Sequence, residues 1–330
     1  MIPRPVVLGV VGDSAAGKTT LTRGLVRVLG EENVTHVCTA DYHRYDRKQR
    51  AELGITPLHP DCNYLDIIAQ DVAHLRRGEP ILKPVYLHQD GTFGPPVYVT
   101  AARFTVIEGL LGYYLPEIRD VYDVRVYLNP PEDVRRRWKV QRDCSRRGYT
   151  TDQVLAELDR REPDSEAYIR PQGRYADILV SFVPADGAGN DDPARLDAEL
   201  TLRDGLPHPD LTPLINGEPD GLTLVERGGE RVLRIAGGID PEHAAAVEEA
   251  IWQRMHFATH LRARRLGEFT IGTDLHRSES LALVQLLILC HLVTAKAAVA
   301  LGGDGLRGAG EAAIAAPLSA SAPAGEVMAG

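Results

Sequence analysis

The stretch Gly12-Asp13-Ser14-Ala15-Ala16-Gly17-Lys18-Thr19 decides how this chain is read. It follows the apolar run Val6-Val7-Leu8-Gly9-Val10-Val11, which has the length and composition of a buried strand. Leu21, Leu25, Val28 and Leu29 follow it at helical spacing. Strand, Gly-x-x-x-x-Gly-Lys-Thr and helix in that order describe a phosphate loop. Gly12 and Gly17 permit backbone angles that a Cβ would forbid. The successive N–H groups, with the helix N-terminus, then point at a polyphosphate. Gly12, Asp13, Ser14, Ala15, Ala16, Gly17, Lys18, Thr19 and Thr20 are therefore the expected binding set for a nucleoside triphosphate. Within it, Lys18 reaches the β and γ phosphates and the Thr19 hydroxyl serves a divalent cation.

The bulk numbers fit such a protein and exclude others. A chain of 330 residues, 44% hydrophobic and 25% charged, can bury a sizeable core in one large or two modest domains. Its net charge of −9 argues against nucleic acid as a partner, because phosphate backbones demand a cationic face. The strand ahead of the loop begins by about residue 5, read as leaving no room for a signal or transit peptide. The segment Leu281–Leu301 is apolar, yet Gln285, His291, Thr294 and Lys296 would be costly in hydrocarbon. It reads as a buried helix, and no membrane partner is expected. Cys38, Cys62, Cys144 and Cys290 are scattered, with neither a disulfide framework nor zinc spacing. A reducing cytoplasm fits.

Strand-length apolar runs recur at Val6–Val11, Val34–Thr39, Phe104–Ile107, Val124–Leu128 and Ile178–Val183. Helical patterns at Ile67–Leu75 and Asp133–Cys144 lie between them. The expected fold class is therefore α/β, a mostly parallel sheet flanked by helices. Residues 1–184 form the expected core, with a lid around 133–170. Pro184–Pro193 reads as a linker. Residues 194–301 add an α+β part on the same core: strands at Leu196–Arg203 and Leu222–Ile235, the latter a hairpin turning at Gly228-Gly229, then helices over Pro241–Leu266 and Ser278–Leu301. The composition of residues 302–330, rich in Gly, Ala, Ser and Pro, predicts a disordered tail.

Four further clusters carry chemistry. Asp41-Tyr42-His43-Arg44-Tyr45-Asp46-Arg47 follows the second strand, where sheets of this kind face the ligand crevice. A carboxylate there could take a proton from a hydroxyl, and His43 and Arg47 could bind an anion; a charged surface turn is the alternative. Lys83-Pro84-Val85-Tyr86-Leu87-His88 offers a phenol and an imidazole two residues apart, on one face of an extended segment. Val106-Ile107-Glu108-Gly109 ends an apolar strand in a carboxylate, where a phosphate-loop enzyme places an acid near Mg²⁺. The run DVRRRWKVQRDCSRRGY from Asp133 puts Lys139, Arg142 and Arg146 near one helix face: a cationic lid over phosphates, a solvated face or, against the acidic remainder of the chain, a nucleic-acid contact.

Together these features resemble the phosphoribulokinase/uridine kinase family, and within it the phosphoribulokinases of plant and cyanobacterial type. The likeness runs from about residue 6 to 184 and returns at residues 264–301. The resemblance implies a P-loop kinase, usually a homodimer, that uses ATP and Mg²⁺ to phosphorylate the C1 hydroxyl of D-ribulose 5-phosphate for carbon fixation. By the same analogy His43, Arg47, Tyr86, His88 and Arg147 hold the sugar phosphate, and Thr19 and Glu108 serve the metal. Lys18, Asp41, Lys139, Arg142 and Asp143 are the expected catalytic set. Two other readings share the phosphate loop: a kinase of the same family acting on uridine or another pentose, and a catalytically weakened nucleotide-binding regulatory protein.

Two positions depart from the plant pattern. Ala16 stands where plant enzymes carry a redox-regulatory cysteine, which leaves Cys38, the match of its partner, unpaired. The family usually reads Asp-Asp-Tyr-His where this chain has Ala40-Asp41-Tyr42-His43, so alanine occupies the place of the general base. Either Ala40 is an engineered replacement, the reading its isolation favours, or it is a natural variant in which Asp41 or a water takes over. In an extended segment Asp41 would point away from the side that residue 40 faces.

Overall fold

All seven positions of Val6–Gly12 (β1) are buried, the mark of a parallel strand covered on both faces. The other strands are β2 (Val34–Cys38), β3 (Ile81–Leu87), β4 (Thr92–Val99), β5 (Phe104–Gly109), β6 (Val124–Leu128), β7 (Ile178–Val183), β8 (Asp197–Leu202), β9 (Leu222–Arg227), β10 (Glu230–Ile235), β11 (Glu268–Ile271) and β12 (Asp274–Arg277). The helices are α1 (Lys18–Leu29), α2 (Arg47–Leu53), α3 (Leu65–Arg76), α4 (Pro116–Arg119), α5 (Glu132–Arg147), α6 (Thr151–Asp164), α7 (Pro241–Arg254) and α8 (Glu279–Ala300). The structure is a computed structural model and describes residues 3–185, 192–215, 217–218, 220–262 and 265–307. Most of the expected linker lies outside the described residues.

Eight strands form one sheet in the order β2-β5-β1-β6-β7-β8-β10-β9. From β2 to β7 the pairing is parallel. At β8 it turns antiparallel and continues so through β10 and β9. The chain after residue 194 thus extends the same sheet. On one face the core includes Leu21 and Leu25 of α1, Ile251 of α7 and Leu286 of α8. On the other, Val7 and Ile107 meet Ile68 and Leu75 of α3. The α/β class with added antiparallel strands is the one expected from the sequence.

Among the described helices α8 is the one long and apolar enough to cross a membrane. Instead it is buried along most of its length, against α1, α7, β1 and β8. A helix enclosed on all sides must be apolar all round.

Two local expectations need correction. The helix expected over Pro241–Leu266 stops at Arg254, and a 3₁₀ turn over His256–Leu261 buries Ala258 behind it. Between α7 and α8 the chain also forms a hairpin, β11–β12. Leu306 and Arg307, inside the expected disordered tail, are anchored: Leu306 is 1% exposed, and Arg307 forms an ion pair with buried Asp177 at 2.7 Å. Composition conceals these anchors, since Asp177 lies far away in sequence. Residues 308–330 lie outside the described residues.

Candidate active site

The phosphate loop joins β1 to α1. Gly17 caps α1 with φ +93°, a left-handed angle that disfavours other residues, and a Cβ there would touch Trp138 of α5 at 3.6 Å. A Cβ at Gly12 would lie 2.5 Å from the Leu128 carbonyl oxygen. Ala15 has φ +66°, alone among the described non-glycine residues, a conformation costing about 1–2 kcal/mol. Lys18 Nζ donates to the carbonyl oxygens of Gly12 and Asp13 at 2.8 and 2.7 Å, and burial lowers its pKa. The ammonium thus satisfies two carbonyls of the loop that carries it.

Glu108, at the end of β5, is buried beneath the first turns of α1. Thr19 Oγ1 donates to its Oε1 at 3.0 Å and Thr22 Oγ1 to its Oε2 at 2.8 Å. His36 Nε2, on β2, lies 3.6 Å from Oε1. Burial works against the charge of Glu108, yet His36, Thr22 and Lys18 hold its pKa below the ordinary carboxylate range. No group of three or more His, Cys, Asp or Glu among the described residues could hold a metal. Thr19 and Glu108 nonetheless fit a hard cation, because they present oxygen donors only and Mg²⁺ completes its shell with phosphate and water.

Beyond β2 the chain does not run extended. Thr39–Tyr42 is a 3₁₀ turn, so successive side chains are roughly 120° apart and not opposed. The expectation that Asp41 must point away from the side faced by Ala40 therefore fails. Asp41 is constrained in a different way: it pairs with Lys83 Nζ, and its Oδ1 accepts the Tyr86 N–H at 3.1 Å. Both oxygens are thereby occupied in bracing the turn against β3.

His43 is buried and its Nδ1 lies 2.8 Å from Asn63 Oδ1. Asn63 spends its amide hydrogens on the carbonyls of Pro57 and His59, which assigns Nδ1–H to His43 and leaves Nε2 as an acceptor. Burial, then Arg50, depresses the His43 pKa to about 3. It offers a hydrogen-bonding group, not a positive charge. Tyr86 stands edge-on between His43 and His88, with ring centroids 5.0 Å from each. Arg50 donates to the Tyr86 hydroxyl at 2.6 Å. Exposed Arg47 donates to the His88 carbonyl at 2.5 Å, tying α2 to the β3–β4 turn. His43, Arg47, Tyr86 and His88 thus lie in one cluster, to which the structure adds Arg50 and Asn63.

The α5–α6 pair carries the cationic run. Asp143 is buried, with Lys139 Nζ at 2.6 Å, Arg142 Nε at 2.8 Å and Arg147 at 3.5 Å. Burial opposes its charge, but Arg142 and Lys139 hold its pKa down to about 2. Burial, then Arg142 and Arg161, brings Lys139 down to about 8. Asp143 is thus the anion that gathers three cations, and it is too weakly basic to take a proton from a hydroxyl. The side chain of Arg146 is not among the described ones. The Arg142 charge acts on both Lys18 and His88, and that of Arg147 on His88. Arg135 reaches back to Asp13 at 3.4 Å and to the Ser14 carbonyl at 3.2 Å. The lid cations therefore lie within electrostatic reach of both the phosphate loop and the Tyr86 cluster.

All four cysteines are free. Burial, then Glu108, raises the Cys38 thiol to about 11, which keeps it protonated at neutral pH and slow to react. Oxidant followed by dithiothreitol is expected to leave activity unchanged, since Ala16 offers no second sulfur. A reversible loss of more than half the rate, traced to a Cys38 disulfide, would overturn this.

The Phosphoribulokinase / Uridine kinase family matches residues 7–187. The phosphoribulokinase of Synechocystis sp. is 38% identical over 205 residues, 62% of this chain and 62% of that protein. The chloroplastic phosphoribulokinase of Triticum aestivum is 31% identical over 223 residues, 62% of this chain and 55% of that protein. The matches thus span less than two thirds of these relatives. A solved phosphoribulokinase from Rhodobacter spheroides superposes with a TM-score of 0.57 over 78% of this chain and 98% of that one; at 18% identity this bears on the fold alone. With the family match covering more than half of its residues, the chain belongs to the phosphoribulokinase/uridine kinase family.

Proposed function

We propose that this chain transfers the γ-phosphoryl group of ATP to the C1 hydroxyl of D-ribulose 5-phosphate, giving ribulose 1,5-bisphosphate for carbon fixation. The observation that carries the reading is the lid: buried Asp143 gathers Lys139, Arg142 and Arg147 on the same helix whose Arg135 reaches Asp13 and the Ser14 carbonyl of the phosphate loop. That is the requirement of in-line phosphoryl transfer, in which positioning and neutralisation of spreading charge do most of the catalysis. The loop N–H groups and Lys18 bind the polyphosphate. Thr19 and Glu108 hold Mg²⁺, which when bound neutralises the β and γ oxygens. Arg47 and Arg147 bind the sugar's phosphate, while His43 Nε2, the Tyr86 hydroxyl and His88 orient its hydroxyls. Lid closure excludes water as a competing acceptor. The reading extends to a cytoplasmic homodimer.

A kinase assay comparing ribulose 5-phosphate, ribose 5-phosphate and uridine tests the proposal, and a preference for uridine would sink it. Ala40 favours a second reading, a nucleotide-binding regulator of weak activity. Mg²⁺·ATP binding without turnover on any sugar phosphate would support that one.

Two results should follow. Arg47→Ala is expected to raise KM for ribulose 5-phosphate about ten- to a hundredfold, with little change in KM for ATP. An unchanged sugar KM would remove Arg47 from the site. Because Lys139 titrates near 8, kcat/KM should fall as pH rises through that value and the lid loses a cation. Lys139→Arg, which stays charged, should move that fall to higher pH; a limb that stays put would assign it to another group.

A further inference from the structure

The helix that carries Lys18 and Thr19 is gripped at both ends by residues beyond the family match. At its last turn Arg27 pairs with Glu268 of β11 at 3.1 Å and donates to the Glu268 carbonyl at 2.7 Å. At its first turn the partner is Gln285, fully buried amid leucines, isoleucine and valines of α8. Gln285 Oε1 accepts the Gly267 N–H at 2.8 Å. Its Nε2 lies 3.3 Å from the Leu21 carbonyl oxygen and 3.4 Å from that of Thr20. Gly24 makes the room: a Cβ there would fall 2.0 Å from Gln285 Nε2.

A buried amide is costly unless its partners are supplied, so it selects the one arrangement that supplies them. A leucine at 285 would pack against α1 in several rotations and axial offsets. The amide fits one. We propose that Gln285 is a positioning residue of the nucleotide site: through the carbonyls of Thr20 and Leu21 it sets the rotation and height of α1, and so the aim of Lys18, Thr19 and the loop N–H groups. The inference rests on the nucleotide-binding part of the proposed function and is indifferent to which sugar is phosphorylated.

The test separates polar positioning from mere packing. Mg²⁺·AMP-PNP is titrated calorimetrically into the full chain, into Gln285→Leu and Gln285→Ala, and into the double variant Gly24→Ala with Gln285→Ala. Melting temperatures are measured in parallel. In the double variant the methyl group fills the space the amide vacates, and alanine suits a helix interior better than glycine. Its melting temperature should therefore recover relative to Gln285→Ala. Nucleotide affinity should stay about three- to tenfold weaker than in the unaltered chain, as it should in Gln285→Leu. KM for the sugar phosphate should not move in any variant. Affinity that recovers with the melting temperature, or that never falls, would overturn the inference alone. Failure of the unaltered chain to bind Mg²⁺·AMP-PNP would overturn the kinase reading and this inference with it.

Discussion

Lys18→Ala is expected to leave the melting temperature close to that of the unaltered chain and to abolish measurable phosphoryl transfer. The two halves of this expectation rest on different contacts. Lys18 is not among the core side chains, and its described bonds run to the Gly12 and Asp13 carbonyls of the loop that carries it. Its catalytic weight comes from charge placed where charge develops. A preorganised donor of this kind is worth roughly 10²–10³-fold in kcat, and a full positive charge on the transferred group at least as much. Burial already lowers the Lys18 pKa, which an approaching polyphosphate would reverse. Turnover followed by nucleoside diphosphate release, with thermal melting in parallel, checks both halves. Retained activity would show that Lys18 never leaves the loop carbonyls. A collapse in melting temperature would show that its role is structural.

The phosphate loop was legible because every constraint on it is local, with two glycines, a lysine and a threonine inside eight residues between an apolar strand and an apolar helix face. The sheet was legible for the same reason, since strands buried on both faces are continuous apolar runs. Contacts between distant segments of chain were not. Thr22 and His36 converge on Glu108 from two elements, and neither residue type at its position announces that meeting. Asp41 and Lys83 stand 42 residues apart, so their pairing could not be read from either motif. The turn at Thr39–Tyr42 is too short to show a period, and it follows an apolar strand that invites continuation. Asp143 was partly legible, since Lys139 and Arg147 lie four residues to either side on the same helix face. That it acts as an anchor and not as a proton acceptor follows only from its burial among three cations.

Ala40→Asp is expected to raise kcat by at least about tenfold with little change in either KM, because general-base assistance is typically worth 10²- to 10⁴-fold. Alanine cannot take the proton from an attacking hydroxyl. Nor is Asp41 free to do so, since Lys83 and the Tyr86 N–H engage its two oxygens and any movement would leave the buried Lys83 ammonium unpaired. Asp143 is held near 2, and His43 near 3, both poor acceptors at neutral pH. Position 40 is half-buried within the same 3₁₀ turn, so a carboxylate there adds a base without displacing the brace that Asp41 provides. The control is Asp41→Asn, which removes the basic carboxylate and keeps one of its two acceptor oxygens, so that it weakens the brace to Lys83 and Tyr86 without abolishing it. If Asp41 only braces the turn, Asp41→Asn should cost far less than the 10²-fold that loss of a base entails. If Ala40→Asp gives no gain while Asp41→Asn falls by 10²-fold or more, Asp41 is the base, and the ion pair with Lys83 must open during turnover.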